Sequence, residues 1–380
     1  MNFVRFVKTP RITSPQNKRP NSKANSKADA KKPSSQQLSL IVTITADFSP
    51  FAGSANLLCQ LVSSTGAALA TQQIQWAGYE REVKVNFPAP PSLSRHKVVV
   101  TPFDASPSTN FLARFLDGNI AHIVGVETEV FSNETCTHQD AVYRRFRSPT
   151  SLITIAEQTG ETIIRHVWDA GVILSAAFSY HQLSVLPQAL RTFSQPFADT
   201  TRPVRVLELG AGVGILGICI ALAFPHAKVV ITDLLDAQAL VEENIRLNAS
   251  QRPDLAQNAS FRVLDWEKHP YPEWTRTETF DLIVMADVTY NTATFEALAN
   301  TLEHLLTTGS SAARVICCGK RRHDEEEQFW NIVGKRGFVI DQREIFSMDL
   351  EGAFAAFLDG EKGQGQHIVD FIGMRLGETP

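Results

Sequence analysis

Cysteine, long uncharged runs and N-terminal acid are all scarce in this 380-residue chain. The five cysteines (Cys59, Cys136, Cys219, Cys317, Cys318) are odd in number and keep no metal-ligand spacing, which argues against a disulfide framework and against a zinc site. A reduced intracellular chain without a metal is expected. The stretch Leu209–Phe224 carries no charge, but it runs only about 16 residues against the roughly 20 a bilayer requires, and it holds Gly210, Gly212, Gly214 and Gly217. No membrane association is expected, and Met1–Lys8 lacks the apolar core of a secretory signal. Residues 1–37 hold nine Lys or Arg against a single acid, Asp29, so they carry +8 and the remainder carries −12 within a total of −4. Pro10, Pro15 and Pro20 interrupt any long amphipathic presequence helix, so a disordered basic tail is expected rather than a mitochondrial leader, with contact to RNA or an acidic partner left open.

Residues 38–150 read as a β-rich accessory region. Leu38–Ala46, Asn56–Val62, Gln72–Trp76, Arg81–Phe87 and Lys97–Thr101 are short β-prone runs separated by turn signals, the pattern of a small antiparallel sheet or sandwich. Its role is open between partner recognition and scaffold. Tyr143–Arg147 (YRRFR) reads as an exposed basic face, with nucleic acid as the alternative.

Residues 151–380 change period. Val204–Asp233 runs strand, glycine turn, helix, strand, acid, the layout of a nucleotide-binding βαβ unit. Gly210, Gly212 and Gly214 let the backbone approach a ligand, and Asp233 could accept from ribose hydroxyls. Downstream, Phe280–Ala286 is a buried-type strand running into Asp287-Val288-Thr289-Tyr290, and later strand–helix pairs lead to two last strands, Phe338–Phe346 and His367–Arg375, with no helix between them. The expected fold is α/β: a Rossmann-like seven-stranded sheet with an antiparallel edge hairpin. That is the architecture of class I AdoMet-dependent methyltransferases. Asp169 is expected to cap a helix over Ile173–Phe178.

Two fingerprints overlap on the glycines: GxGxxG at Gly212–Gly217 and E-x-G-x-G-x-G at Glu208–Gly214. Glu208 would repel a dinucleotide's pyrophosphate but suits the positive sulfonium and ammonium of S-adenosyl-L-methionine (AdoMet). About 175 residues from Val204 onward complete one sheet, leaving no second half for a nicotinamide. Beyond this, the chain resembles methyltransferase family 16, the D-x-x-Y seven-strand group, over Glu157–Arg375. The resemblance is carried by His166–Gly171 (HVWDAG), Glu208–Gly217 (ELGAGVGILG), Thr232-Asp233, Asp265-Trp266, Asp287–Tyr290 and Lys320–Phe329 (KRRHDEEEQF). It implies an AdoMet pocket lined by Trp168, Gly210, Asp233 and Trp266, with Glu208, Gly212, Gly214 and Ala286 alongside, and Asp287 and Tyr290 facing the methyl acceptor. It implies protein-lysine methylation in the cytoplasm, with the nucleus as a second compartment, on substrates such as translation factors and chaperones. A small-molecule amine, RNA, or a non-catalytic AdoMet-binding role remain the alternatives; the acidic body argues against nucleic acid.

Overall fold

A computed structural model of the chain describes residues 2–13, 37–46, 49–50, 54–77, 80–89, 94–103, 123–132, 141–158, 163–181, 194–199, 201–250, 252–309, 312–348, 354–356 and 367–377. The chain divides into two compact units, one built mainly from residues 1–107 and 122–144, the other mainly from residues 145–157 and 161–380.

The first unit contains β1 (Asn2–Thr13), β2 (Gln37–Ala46), β3 (Ser49–Pro50), β4 (Ala55–Ser63), β5 (Ala68–Trp76), β6 (Val83–Pro88), β7 (Ser94–Pro102), β8 (Ile123–Val124), β9 (Val126–Thr128), β10 (Phe131–Ser132) and most of β11 (Ala141–Arg147). One sheet runs β3-β2-β1-β8 with β6 also on β2; the other runs β11-β9-β7-β4-β5 with β10 beside β7. Strand alternation turns Leu38, Leu40, Val42 and Ile44 inward, where they meet Leu57, Cys59, Leu61, Val98 and Val100 in one core. This is the expected sandwich.

Two expectations need correction. Residues 2–13 are not part of a disordered tail: they form β1, antiparallel to β2, because Val4 and Phe6 alternate into the core while Arg5 reaches Thr45 Oγ1. The rest of the basic tail, residues 14–36, lies outside the described residues. Nor is YRRFR all exposed. The same alternation that buries Val142 buries Arg144, whose guanidinium donates to the carbonyls of Gly125 and Val4, each at 3.0 Å.

The second unit holds, in order, β12 (Leu152–Gln158), α1 (Asp169–Ser179), β13 (Val204–Leu209), α2 (Ile215–Ala223), β14 (Ala227–Asp233), α3 (Gln238–Ala249), α4 (Leu255–Asn258) and β15 (Ala259–Val263). It continues with α5 (Trp274–Thr277), β16 (Leu282–Ala286), α6 (Phe295–Thr308), β17 (Arg314–Lys320), α7 (Glu327–Lys335), β18 (Phe338–Met348), β19 (Phe354–Ala356) and β20 (His367–Leu376). The sheet order is β15-β14-β13-β16-β17-β20-β18-β19. The first five strands are parallel; β20 lies antiparallel to β17, and β18 antiparallel to β20. The edge hairpin is therefore as expected, while the short β19, in a stretch read as loop, adds an eighth strand beside β18.

On one face, Leu207, Leu209, Ile283, Met285, Val315 and Cys317 pack against Phe295, Leu298 and Leu302 of α6 and Phe329 of α7. The other face is screened by α1 and α2, both buried almost all round. β12 is held by an unusual device. Asn244 and Asn248, one turn apart on α3, act as a strand partner: Asn244 Oδ1 accepts from Ala156 N at 2.7 Å and its amide donates to Ala156 O at 3.1 Å, while Asn248 does the same at Thr154, at 2.9 and 2.7 Å. Asn244 also donates to Val213 O in the glycine loop. Unpairing buried backbone groups costs about 1–3 kcal/mol each, so Asn244→Ala should lower unfolding free energy by about 2–4 kcal/mol, read from urea denaturation midpoints. A loss below about 0.5 kcal/mol would show that the pairing carries no weight.

Candidate active site

The parallel strands end together at their carboxyl edge, where open α/β sheets bind ligands. β13 runs into Gly210, Gly212 and Gly214, with φ of 66°, 57° and 77°. All three lie in the left-handed region that favours glycine. At Gly210 space is decisive too: a Cβ there would meet Val288 Cγ1 at 2.7 Å and the Trp266 ring at 3.1 Å. The loop is pinned to β14 by Ala211 N donating to Thr232 O and by Gly212 N donating to Asp233 Oδ2 at 2.7 Å; Asp233 Oδ1 accepts from Leu234 N. Burial raises the Asp233 pKa, with the two amides opposing.

Of the two places open to Glu208, beside the cofactor or bracing the loop, the structure shows the second. The side chain lies beneath the loop, buried, with Oε2 accepting from Gly217 N at 2.9 Å in the first turn of α2. Burial pushes its pKa up to about 8 from 4.5, helped by the Asp233 charge and opposed by Gly217. Burial thus favours the neutral form, which suits a bracing group better than a charge aimed at a ligand. The part of Glu208 is to brace the turn.

β16 ends at the half-buried Ala286, and the chain turns sharply at Asp287, a non-glycine residue with φ of 54°. Such a conformation suits Asp better than most side chains. The Asp287 carboxylate is fully engaged. Oδ2 accepts from Ala170 N at 2.8 Å; Oδ1 accepts from Lys320 N and from Arg322 Nη1, both at 3.0 Å. Ala170 lies in the first turn of α1, so Asp287 performs across 117 residues the capping expected of Asp169. Asp169 is instead inside the helix, its Oδ2 2.9 Å from Lys320 Nζ in a buried ion pair. Trp168, the actual N-cap residue, is half-buried, with Nε1 donating to Ile163 O and its ring 5.7 Å from the Arg322 guanidinium. Glu157 fixes the same segment by accepting from Val167 N. Tyr290 is 48% exposed at the rim. Partial burial and the Asp233 carboxylate raise its hydroxyl pKa, and Arg322 opposes them.

The structure thus brings together Trp168, the glycine loop, Asp233, Trp266, Ala286, Asp287 and Tyr290, and sets Glu208 below them. The sequence reading missed Arg322, Glu157 and the Asp169–Lys320 pair. Arg322 sat inside the quoted KRRHDEEEQF run, where its basic neighbours hid it; Glu157, in an apolar strand, gave no signal.

A family profile described as lysine methyltransferase matches residues 147–336. The chain belongs to this family. A UPF0665 family protein of Schizosaccharomyces pombe is 31% identical over 251 residues, covering 64% of this chain and 70% of that protein. EEF1A lysine methyltransferase 3 of Xenopus tropicalis is 30% identical over 139 residues, 37% of this chain and 51% of that protein. Protein N-lysine methyltransferase METTL21A of Danio rerio is 34% identical over 141 residues, 37% of this chain and 54% of that protein. The chain thus spans about half the length of these two vertebrate relatives.

The family's cofactor is AdoMet, and the residues present fit it. Trp266 Nε1 is buried with no hydrogen-bond partner among the described residues, and the Trp266 ring packs directly against Gly210, where a Cβ would displace it. Gly210→Ala should therefore weaken AdoMet binding about tenfold or more by isothermal titration calorimetry, with little change in helical circular dichroism. The raised Glu208 pKa has a signed consequence. Its stabilising contribution is complete below about 4.5 and is lost as pH rises through about 8. Glu208→Gln keeps the acceptor for Gly217 without the titration, so its melting temperature relative to the native protein should rise between pH 5 and pH 8.5; a pH-independent difference would overturn the assignment.

Proposed function

We propose that the protein transfers a methyl group from AdoMet to the side-chain amine of a lysine in a protein substrate. The observation that carries this is the juxtaposition, in a chain of this family, of the Gly210–Gly214 loop and Trp266 with the Asp287–Tyr290 turn at one end of the sheet. Asp233 and the glycine loop would flank the cofactor's ribose and amino-acid portions, Trp266 its adenine, and Trp168 its open side. Bound AdoMet supplies an electrophilic methyl on a positively charged sulfur.

The nucleophile must be an uncharged amine. A free lysine has a pKa of about 10.4, so reaching that form at pH 7 costs roughly 4–5 kcal/mol. Among the described residues no side chain at the rim is a ready base for this step: the Asp287 oxygens already accept three hydrogen bonds, and the Tyr290 pKa is shifted upward. A carboxylate beside the amine would in any case stabilise the ammonium. Asp287 is better suited to holding Trp168 and the D-x-x-Y turn in register, and Tyr290 to guiding the acceptor chain past the rim. The amine gives its proton to water before transfer, and positioning supplies most of the acceleration.

A cytoplasmic protein acceptor is the reading we favour, in line with relatives named for protein lysines and, in one case, for EEF1A. Small-molecule amines and RNA are the second reading. Incubating the purified protein with tritiated AdoMet and a cell extract, then digesting with protease or RNase, separates them: protease-sensitive label on methyl-lysine is expected. RNase-sensitive label, or none, would overturn the proposal. Asp287→Ala should cut transfer at least about 100-fold and, because Asp287 anchors the start of α1 beside Trp168, weaken AdoMet binding as well; near-normal turnover would remove Asp287 from the site.

A further inference from the structure

We propose that Arg322 sets the protonation state of the methyl-accepting amine, by neutralising the one carboxylate that the D-x-x-Y turn brings to the acceptor side. The inference rests on the site being that of a lysine methyltransferase. Arg322 is a positioning residue on this account: it acts through Asp287 and through the local field, without bonding to the reacting atoms.

The geometry is specific. Arg322 Nη1 lies 3.0 Å from Asp287 Oδ1 and 3.1 Å from the carbonyl of Lys320, so the guanidinium is fixed by both the turn and its own strand end. Its other side stands over Trp168, 5.7 Å from the ring centroid. Its charge reaches the Tyr290 hydroxyl, opposing the effect of Asp233. One guanidinium therefore touches the cofactor-side tryptophan and both residues of the acceptor turn, through contact or field.

Arg322 faces two carboxylates, Asp287 at 3.0 Å and Glu326, whose charged form it also favours; of the two, only Asp287 belongs to the D-x-x-Y turn. From α1 and β17, Asp169 and Lys320 form their own buried pair at 2.9 Å. From the turn before α7, Glu326 Oε1 accepts from the amides of Arg322 and His323 at 3.1 and 3.3 Å, and burial raises its pKa. Asp233 lies across the pocket, held by two amides. An unbalanced carboxylate within about 4–6 Å of an amine raises the amine's pKa by roughly 1–3 units and so holds it as the unreactive ammonium. With Arg322 in place that penalty is cancelled, and lysine can enter beside Asp287 without being trapped in its charged form.

The test reads the pH dependence of the initial rate of tritium transfer from AdoMet into a cell protein extract, between about pH 6.5 and 10. Arg322→Gln should move the rising limb upward by about one unit, so that its loss of rate shrinks as pH rises. Arg322→Lys, which keeps the charge, should leave the limb where it is. A loss by the same factor at every pH, or equal displacement by Lys and Gln, would overturn the proposal in favour of a purely structural role. AdoMet affinity and melting temperature are measured alongside. If Gln at 322 prevents folding, Arg322→His, neutral over most of that pH range, takes its place; its limb should also move upward, and a limb at the native position overturns the inference. Absence of protein label with the native enzyme would sink the lysine reading itself, and this inference with it.

Discussion

The Asp287 carboxylate is the junction on which the rest of the site depends. Its two oxygens gather a backbone amide from the start of α1, a second from the end of β17, and the guanidinium of Arg322. Those donors come from separate segments that meet at the carboxyl edge of the sheet. A neutral side chain would satisfy them more weakly, since hydrogen bonds to an ion are roughly twice as strong. The left-handed backbone at the same residue aims the carboxylate back across the strand ends and sends Val288 against the glycine loop. The glycine loop, the start of α1 and the end of β17 are thereby tied together through one residue.

Beneath this junction lies a second layer of acids with a different task. Glu208 braces the first turn of α2 and burial favours its neutral form, while Asp233 ties Gly212 to the end of β14. Two acids bracketing a glycine loop looked from the sequence like one electrostatic signature for a positively charged ligand. The structure separates them in depth: Asp233 ties the loop to the end of β14, and Glu208 braces the first turn of α2 beneath it.

The parallel strands, the edge hairpin and the strand-end motifs were legible because each writes a local pattern: apolar runs for buried strands, glycines where φ must be positive, an acid at a strand's end. What stayed hidden was pairing over long separations. Asp169 looked like a helix cap because it preceded an apolar helix, yet Lys320 claims it 151 residues away and the cap comes from Asp287. Arg144 looked exposed because arginine usually is, and only strand parity with Val142 indicated otherwise. The tail's charge concealed the apolar alternation of Val4 and Phe6, since composition averages over both. The comparisons, by contrast, fix the family and leave the acceptor protein to be identified.

The asparagine pairing at β12 has a consequence for assembly. Thr154 and Ala156 each spend both the amide and the carbonyl on a side chain of α3, so at these two residues the edge of β12 facing that helix has its ladder groups taken. A strand whose edge is sealed by asparagines cannot recruit a neighbour there, whether a second copy of this protein or an extended substrate segment. The unit thus obtains by side-chain mimicry what other sheets obtain with a covering strand, and any extended peptide the protein engages must be accommodated elsewhere on its surface.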